Sequence, residues 1–137
     1  EHVHGGIEMI LGLHRDPLGT ALLLGMGGVT AELFDDTVLR LLPESGAAPG
    51  GGQSGAPAAL TREEALAMAR SLKTWPLLDG YRGRPKADVA ALVDAIVAFS
   101  RLAASLGDRL VTAEINPLFV LEAGRGVRAA DAVAVLN

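Results

Sequence analysis

Residues 61 to 107 carry two helical stripes, each with its own start and stop signals, set between two blocks of strand-like sequence. Strands, then a run of helices, then strands again is the order of an α+β layer. It predicts a mostly antiparallel sheet with two main helices packed on one side. The first stripe opens at Thr61-Arg62-Glu63-Glu64, a capping box in which the Thr hydroxyl accepts from a first-turn amide and the Glu reaches back. Ala65, Leu66, Met68, Ala69 and Leu72 keep helical spacing, and Pro76 is predicted to stop the helix. Leu77 to Pro85 reads as an irregular, glycine-broken connection. The second helix is predicted from Asp88, a good N-cap, to Leu106, with Gly107 as its C-cap. Its apolar stripe is Val89, Leu92, Val93, Ile96, Phe99, Ala103 and Leu106.

In the leading block, Ile7, Met9, Leu11 and Leu13 fall on one face of a strand while Glu8, Ile10 and Gly12 fall on the other. Thr20 to Leu24 is a short apolar run ended by Gly25-Met26-Gly27-Gly28. Val29 to Phe34 resumes extended character, Asp35-Asp36 marks a turn, and Thr37 to Leu42 reads as the return strand. The expectation is a meander of about four strands. Pro43 to Pro57 is so rich in Gly, Ala, Pro and Ser that it cannot bury enough apolar surface to offset the entropy of ordering it. A mobile loop is predicted there, at about 43–59, within a single unit spanning residues 1–137.

The closing block runs from Leu110 to about Val135 as strand, turn and strand. Glu114 and Asn116, two apart in a strand, share a face and lie roughly 7 Å from each other. With the turn centred on Ala123-Gly124-Arg125-Gly126, antiparallel pairing brings Asp131 opposite the region of Asn116 to Leu118. Two carboxylates and an amide are hard oxygen ligands of the kind Mg²⁺ takes, and Mg²⁺ commonly bridges few carboxylates to substrate phosphates. The alternative is a solvated strand face, with Pro117 marking a strand end.

The 137 residues suffice for one domain with a real core, and with aromatics at 4% that core must be built from Leu, Val, Ile and Ala. There is no cysteine, which excludes disulfides, thiolate metal sites and a cysteine nucleophile. Net charge is −4 and the Arg and Lys residues are scattered, which argues against a nucleic-acid surface. No apolar run approaches the roughly 20 residues of a membrane span, so no membrane role and a cytoplasmic location are expected. The chain opens on Glu1 almost directly into a strand, as a piece of something longer would.

Other candidates carry two readings each. Gly25-Met26-Gly27-Gly28 fails the dinucleotide pattern, because Thr30 stands where a third glycine should, yet Gly27 and Gly28 would let backbone amides approach an anion closely. Glu8 and Glu32 in apolar strands imply either a polar cleft or an exposed edge. His2, His4 and His14 are expected to be solvent-exposed rather than a metal set. Arg82 and Arg84, flanking Gly83, could grip phosphate or carboxylate by forked hydrogen bonds, or form a salt bridge at a helix terminus.

Taken in order, GGIEMILGLHRDP, LLLGMGGVTAEL, LTREEALAMARSLK, PLLDGYRGRP and AEINPLFVL with its trailing Asp resemble one family throughout. The chain is similar to the C-terminal subdomain of the ATP-grasp domain in ADP-forming acyl-CoA synthetases, relatives of the succinyl-CoA synthetase β subunit. The resemblance implies ATP/ADP and Mg²⁺ as cofactors, Asn116 and Asp131 as metal ligands, and Glu8 lining the nucleotide pocket. It puts Glu114 where the γ-phosphate meets a phosphohistidine from another domain. Gly27 and Gly28, by the close backbone approach they allow, join Glu8 as expected nucleotide contacts. It also implies partners: the remaining ATP-grasp subdomain and the CoA-binding and CoA-ligase domains, which a piece of this length lacks. The fragment alone is expected to be inactive. The segment LGTALLL departs from the family, where an aromatic and a proline usually stand, and Pro43 to Pro57 looks like an insertion. An alternative within the same resemblance is an ATP-grasp module of an acetyltransferase-fused regulatory protein.

Overall fold

In the computed structural model, which describes residues 6–28, 35–43 and 58–137, the leading strands form an antiparallel meander. β1 (Ile7–Asp16) turns into β2 (Gly19–Met26) through Pro17 and Leu18, and Asp16 Oδ1 fastens that turn by accepting from the Leu18 amide at 2.8 Å. β3 (Thr37–Leu41) pairs with β2. The predicted strand over Val29 to Phe34, with Glu32 in it, lies outside the described residues, as do His2, His4 and nearly all of the predicted loop. Pro43 and Ala58, which bracket the undescribed part of that loop, are joined by a hydrogen bond from the Ala58 amide to the Pro43 carbonyl at 2.6 Å. β2 runs past its apolar stretch through Gly25, where the Thr37 methyl lies 2.7 Å from where a Cβ would sit.

Both halves of the capping box form at α1 (Arg62–Arg70): Thr61 Oγ1 accepts from the Glu64 amide at 3.1 Å and Glu64 Oε1 from the Thr61 amide at 2.9 Å. Pro76 does not stop this helix. It ends at Ser71, whose hydroxyl donates to Ala67 O at 2.7 Å. Pro76 instead sits in the first turn of a short α2 (Trp75–Leu78), where the missing N–H has no intrahelical partner to lose. Leu77 and Leu78, predicted irregular, are therefore helical. α3 (Val89–Leu106) forms between Asp88 and Gly107 as spaced, with Leu92, Val93, Ile96, Val97, Phe99 and Ala103 buried. Buried Ser100 is satisfied twice, donating to Val97 O at 2.7 Å and accepting from the Leu60 amide at 2.8 Å. By length and composition Val89–Arg109 could cross a membrane, contrary to the expectation from sequence. Its stripe, however, packs onto α1 and the sheet as a core helix does.

The closing block forms β4 (Leu110–Val120), β5 (Val127–Ala129) and β6 (Ala132–Leu136). Among the described residues every strand pairing is antiparallel, in the order β3-β2-β1-β4-β5, with β6 also on β4. Met9, Leu11 and Leu13 pair with Met26, Leu24 and Leu22 and point, with Ala113, Leu118 and Val120, into the core under the helices. Alternation then sends Glu8, Ile10, Gly12, His14 and Glu114 to the opposite, open face.

Candidate functional site

The open face is organised by an irregularity in its central strand. Met9 pairs with Leu118 but Leu11 with Ile115, so β4 carries one residue more than β1 across this stretch, and the surplus falls at Asn116-Pro117. Such a bulge re-aims side chains and interrupts pairing. Pro117 therefore does not end the strand: β4 continues through it to Val120. The return arm splits around the bulge. β5 pairs with Leu118 to Val120 and β6 begins opposite Ile115, leaving Ala130 and Asp131 between them. The Ala130 amide donates to Pro117 O and the Asn116 amide to Asp131 O, both at 3.1 Å. Asp131 thus stands across the ladder from Asn116, as antiparallel pairing predicts.

Asn116 Nδ2 donates to Glu114 Oε1 at 3.0 Å, which places both side chains on one face. An ionised carboxylate only accepts, so the NH₂ end of the amide must face Glu114 and Oδ1 is left to face elsewhere. Glu114, Asn116, Asp131 and Val133 line a single hollow of about 200 Å³. Two carboxylates gathered at one hollow repel, and a cation among them relieves that repulsion. The donor set of carboxylate and amide oxygens fits Mg²⁺ rather than a softer ion. Among the described residues no group of three His, Cys, Asp or Glu side chains is placed to hold a metal, in keeping with a set that includes an amide.

Glu114 and Val133 also border a second hollow of about 450 Å³, floored by Gly12 and Ala21 and walled by Ile10, Leu23 and Leu39. A polar end therefore adjoins an apolar shelf. His14 is exposed at the rim of this shelf.

Glu8, Gly27 and Gly28 form a separate group farther along the sheet, where Glu8 pairs with Phe119. The Gly27 amide donates to Glu8 O at 2.8 Å, extending the ladder beyond β2. A Cβ on Gly27 would come within 3.3 Å of the Glu8 carbonyl carbon, and one on Gly28 would collide with Glu8 Oε2. Gly28 also has φ 66, the left-handed region that favours glycine. The glycines thus let the chain close over Glu8, an alternative to a phosphate cradle that the sequence did not suggest.

Two carboxylates hold the site's scaffold together. Asp88, read in sequence only as a cap, accepts from Ala91 N at 3.0 Å and also from Gly124 N at 3.1 Å and Gly126 N at 2.8 Å. It pins the β4–β5 turn to the start of α3. The Ala91 amide first, then Gly126 and Gly124, keep its carboxyl below the ordinary value despite some desolvation. Asp36, read as part of a turn, is 3% exposed and accepts from Lys73 N at 2.7 Å, Thr74 N at 2.9 Å and the Thr74 hydroxyl. Burial pushes its pKa up, and those hydrogen bonds, led by the Thr74 hydroxyl, outweigh burial and lower it. Apart from the Ala91 cap, the partners of both lie 36 to 38 residues away, so no local motif announces them. Arg82 and Arg84 make no salt bridge among the described residues. Arg82 instead lies over the Tyr81 ring, 5.2 Å from its centroid.

A family model described as an ATP-grasp domain matches residues 1–136. The β subunit of ADP-forming acetate–CoA ligase II from Pyrococcus furiosus is 32% identical over 133 residues, covering 96% of this chain and 50% of that subunit. A trans-feruloyl-CoA synthase from an unknown prokaryotic organism is 39% identical over 136 residues, covering 96% of this chain and 16% of that protein. Among solved structures, acetyl-coenzyme A synthetase 1 of Candidatus Korarchaeum cryptofilum, described as dinucleotide forming, superposes with a TM-score of 0.75 at 29% identity, covering 100% of this chain and 56% of that one. That structure is a complex with coenzyme A and Mg-AMPPCP, its phosphohistidine segment pointing towards the nucleotide binding site. The chain spans about half the length of the Pyrococcus subunit and a much smaller share of the synthase.

Proposed function

The chain belongs to the ATP-grasp domain family, and on that premise we propose that it is the nucleotide- and Mg²⁺-holding half of an ATP-grasp domain in an ADP-forming acyl-CoA synthetase. The parent would convert an acid, CoA and ATP into acyl-CoA, ADP and phosphate by way of a phosphohistidine carried on another domain. The carrying observation is the single hollow lined by Glu114, Asn116 and Asp131.

In this reading Asn116 Oδ1 and the Asp131 carboxylate hold the metal, with Glu114 beside them. Mg²⁺ bound there would neutralise phosphate charge, most of what phosphoryl transfer asks of a protein besides positioning. Glu114 orients the Asn116 amide and presents its other oxygen towards the place where a histidine ring would approach. The apolar shelf beside Glu114 gives the nucleotide's less polar part a surface to lie on and keeps water from it. Glu8, with Gly27 and Gly28 folded against it, borders the pocket farther along the sheet.

The remaining ATP-grasp subdomain and the CoA-binding and CoA-ligase domains, in the same chain or a partner subunit, complete the enzyme. The fragment alone is inactive in this account. Relatives named for acetate and for a feruloyl group share this same stretch, which argues that the acid is chosen elsewhere. A cytoplasmic site of action is part of this proposal. The acetyltransferase-fused regulatory alternative is not favoured, since the relatives described above are ligases.

The test is acid-dependent ADP release by the intact parent across a panel of short and aromatic acids. The Asp131→Asn variant should abolish most of that release while leaving the fold intact. No acid-dependent release by the wild-type protein would refute the ligase assignment.

A further inference from the structure

The loop joining α2 to α3 has an unusual backbone held by its own hydrogen bonds, from the Arg84 amide to Tyr81 O and from the Ala87 amide to Leu78 O. Gly80, Arg82 and Gly83 have φ of 88, 54 and 75, so the turn is left-handed at three of four successive residues, one of them an arginine. Residues other than Gly, Asn and Asp seldom adopt that conformation, and where one does the surroundings commonly have a use for it. Tyr81 through Lys86 are all exposed. Lys86 Nζ reaches only to 3.9 Å from Asp79, and Arg82 and Arg84 have no acidic partner among the described residues. Three cations thus stand out on a chain whose net charge is −4. Beside Arg84 and Pro85 lies a hollow of about 230 Å³ lined by Ile7, Leu77, Val120 and Leu121, with room for one large apolar side chain. Glu122 on its border is turned to Arg125 at 3.7 Å.

From this we infer that the Tyr81-Arg82-Gly83-Arg84 loop and the adjoining hollow are the docking site for an acidic polypeptide segment of the domain or subunit that completes the enzyme. The inference rests on the ligase reading given above. An apolar side chain of the partner enters the hollow, and its flanking carboxylates take the two guanidinium forks. Tyr and Arg are the residues that carry binding energy at protein interfaces, and a guanidinium held over a ring is pre-positioned for a carboxylate. A small-molecule phosphate has less claim, because the hollow beside the arginines is walled mainly by apolar side chains.

The test is arginine modification by a dicarbonyl reagent in the intact parent protein, with exposed Arg101 on α3 as internal reference. Arg82 and Arg84 should react at least about tenfold more slowly than Arg101 at low salt and catch up at high salt, where surface ion pairs are screened. Reaction at the Arg101 rate at low salt would overturn the docking site. In parallel, Arg82→Glu with Arg84→Glu should lower overall turnover by about tenfold without changing nucleotide KM, as loss of an interface charge pair would. Turnover unchanged would overturn it too. Shielded arginines in a wild-type protein that makes no acyl-CoA would refute the ligase reading and still support docking. Active wild-type protein with freely reactive arginines would do the reverse.

Discussion

The Asn116 carboxamide is held by Glu114, Nδ2 to Oε1 at 3.0 Å, and this fixes which end of the amide is free. Replacing Glu114 by Gln lets the amide NH₂ end of Gln turn towards Asn116 and costs a negative charge beside the proposed Mg²⁺ position. Glu114→Gln should therefore weaken Mg²⁺–nucleotide binding by about tenfold, near 1.4 kcal/mol, without moving the melting temperature. Calorimetric titration of the intact protein with Mg²⁺–ADP checks this. Unaltered affinity would mean that Glu114 neither orients Asn116 nor contributes charge.

Asp88 joins α3 to the ribbon that carries the site, through three backbone amides. Asp88→Ala should cost about 1–3 kcal/mol, the worth of a helix cap plus a turn left without its acceptor. Because the folded carboxyl titrates below its unfolded value, its contribution is complete above the ordinary Asp range and is lost as pH falls through the lowered value. The stability gap between wild type and Asp88→Ala should accordingly close in acid. Urea unfolding at about pH 6 and about pH 3 measures it, and a gap that widened in acid would contradict the assignment.

Asp36, itself buried, stitches the start of β3 to the turn between α1 and α2 through the Lys73 and Thr74 amides and the Thr74 hydroxyl. Asp36→Ala removes the acceptor from two amides and a hydroxyl, a loss of about 3 kcal/mol. Asp36→Asn keeps the shape and one acceptor and should cost less. Equal destabilisation by the two, followed by thermal unfolding, would contradict this and show that the carboxylate's hydrogen bonds rather than the retained shape decide.

Gly28 leaves no space for a side chain on the Glu8 side. Gly28→Ala should cost roughly 1–2 kcal/mol for the left-handed backbone and displace the Glu8 carboxylate. If Glu8 borders the nucleotide, Gly28→Ala and Glu8→Gln should weaken ADP binding alike. Binding unaffected by either would leave these residues a structural turn.

Much of the layer was legible in the sequence. The Thr61 capping box, the Asp88 and Gly107 bounds of α3 and the alternation in β1 are local patterns, and local backbone physics settles them. The opposition of Asn116 and Asp131 was legible because a turn position fixes antiparallel register. What was not legible came from distance or irregularity. Pro76 looks the same whether it ends one helix or starts the next. The bulge that splits the return arm depends on β1 having one residue fewer than β4. The second and third hydrogen bonds of Asp88 arrive from a turn far along the chain.

The central claim is that oxygens from both arms of the closing ribbon hold a divalent cation against a nucleotide. Mn²⁺ in place of Mg²⁺, titrated with ATP into the intact parent protein and followed by electron paramagnetic resonance, tests it most directly. Wild type should hold the Mn²⁺–ATP complex, while Asn116→Ala and Asp131→Asn should each weaken it by at least about tenfold with melting temperature unchanged. Wild-type affinity in both variants would contradict the account.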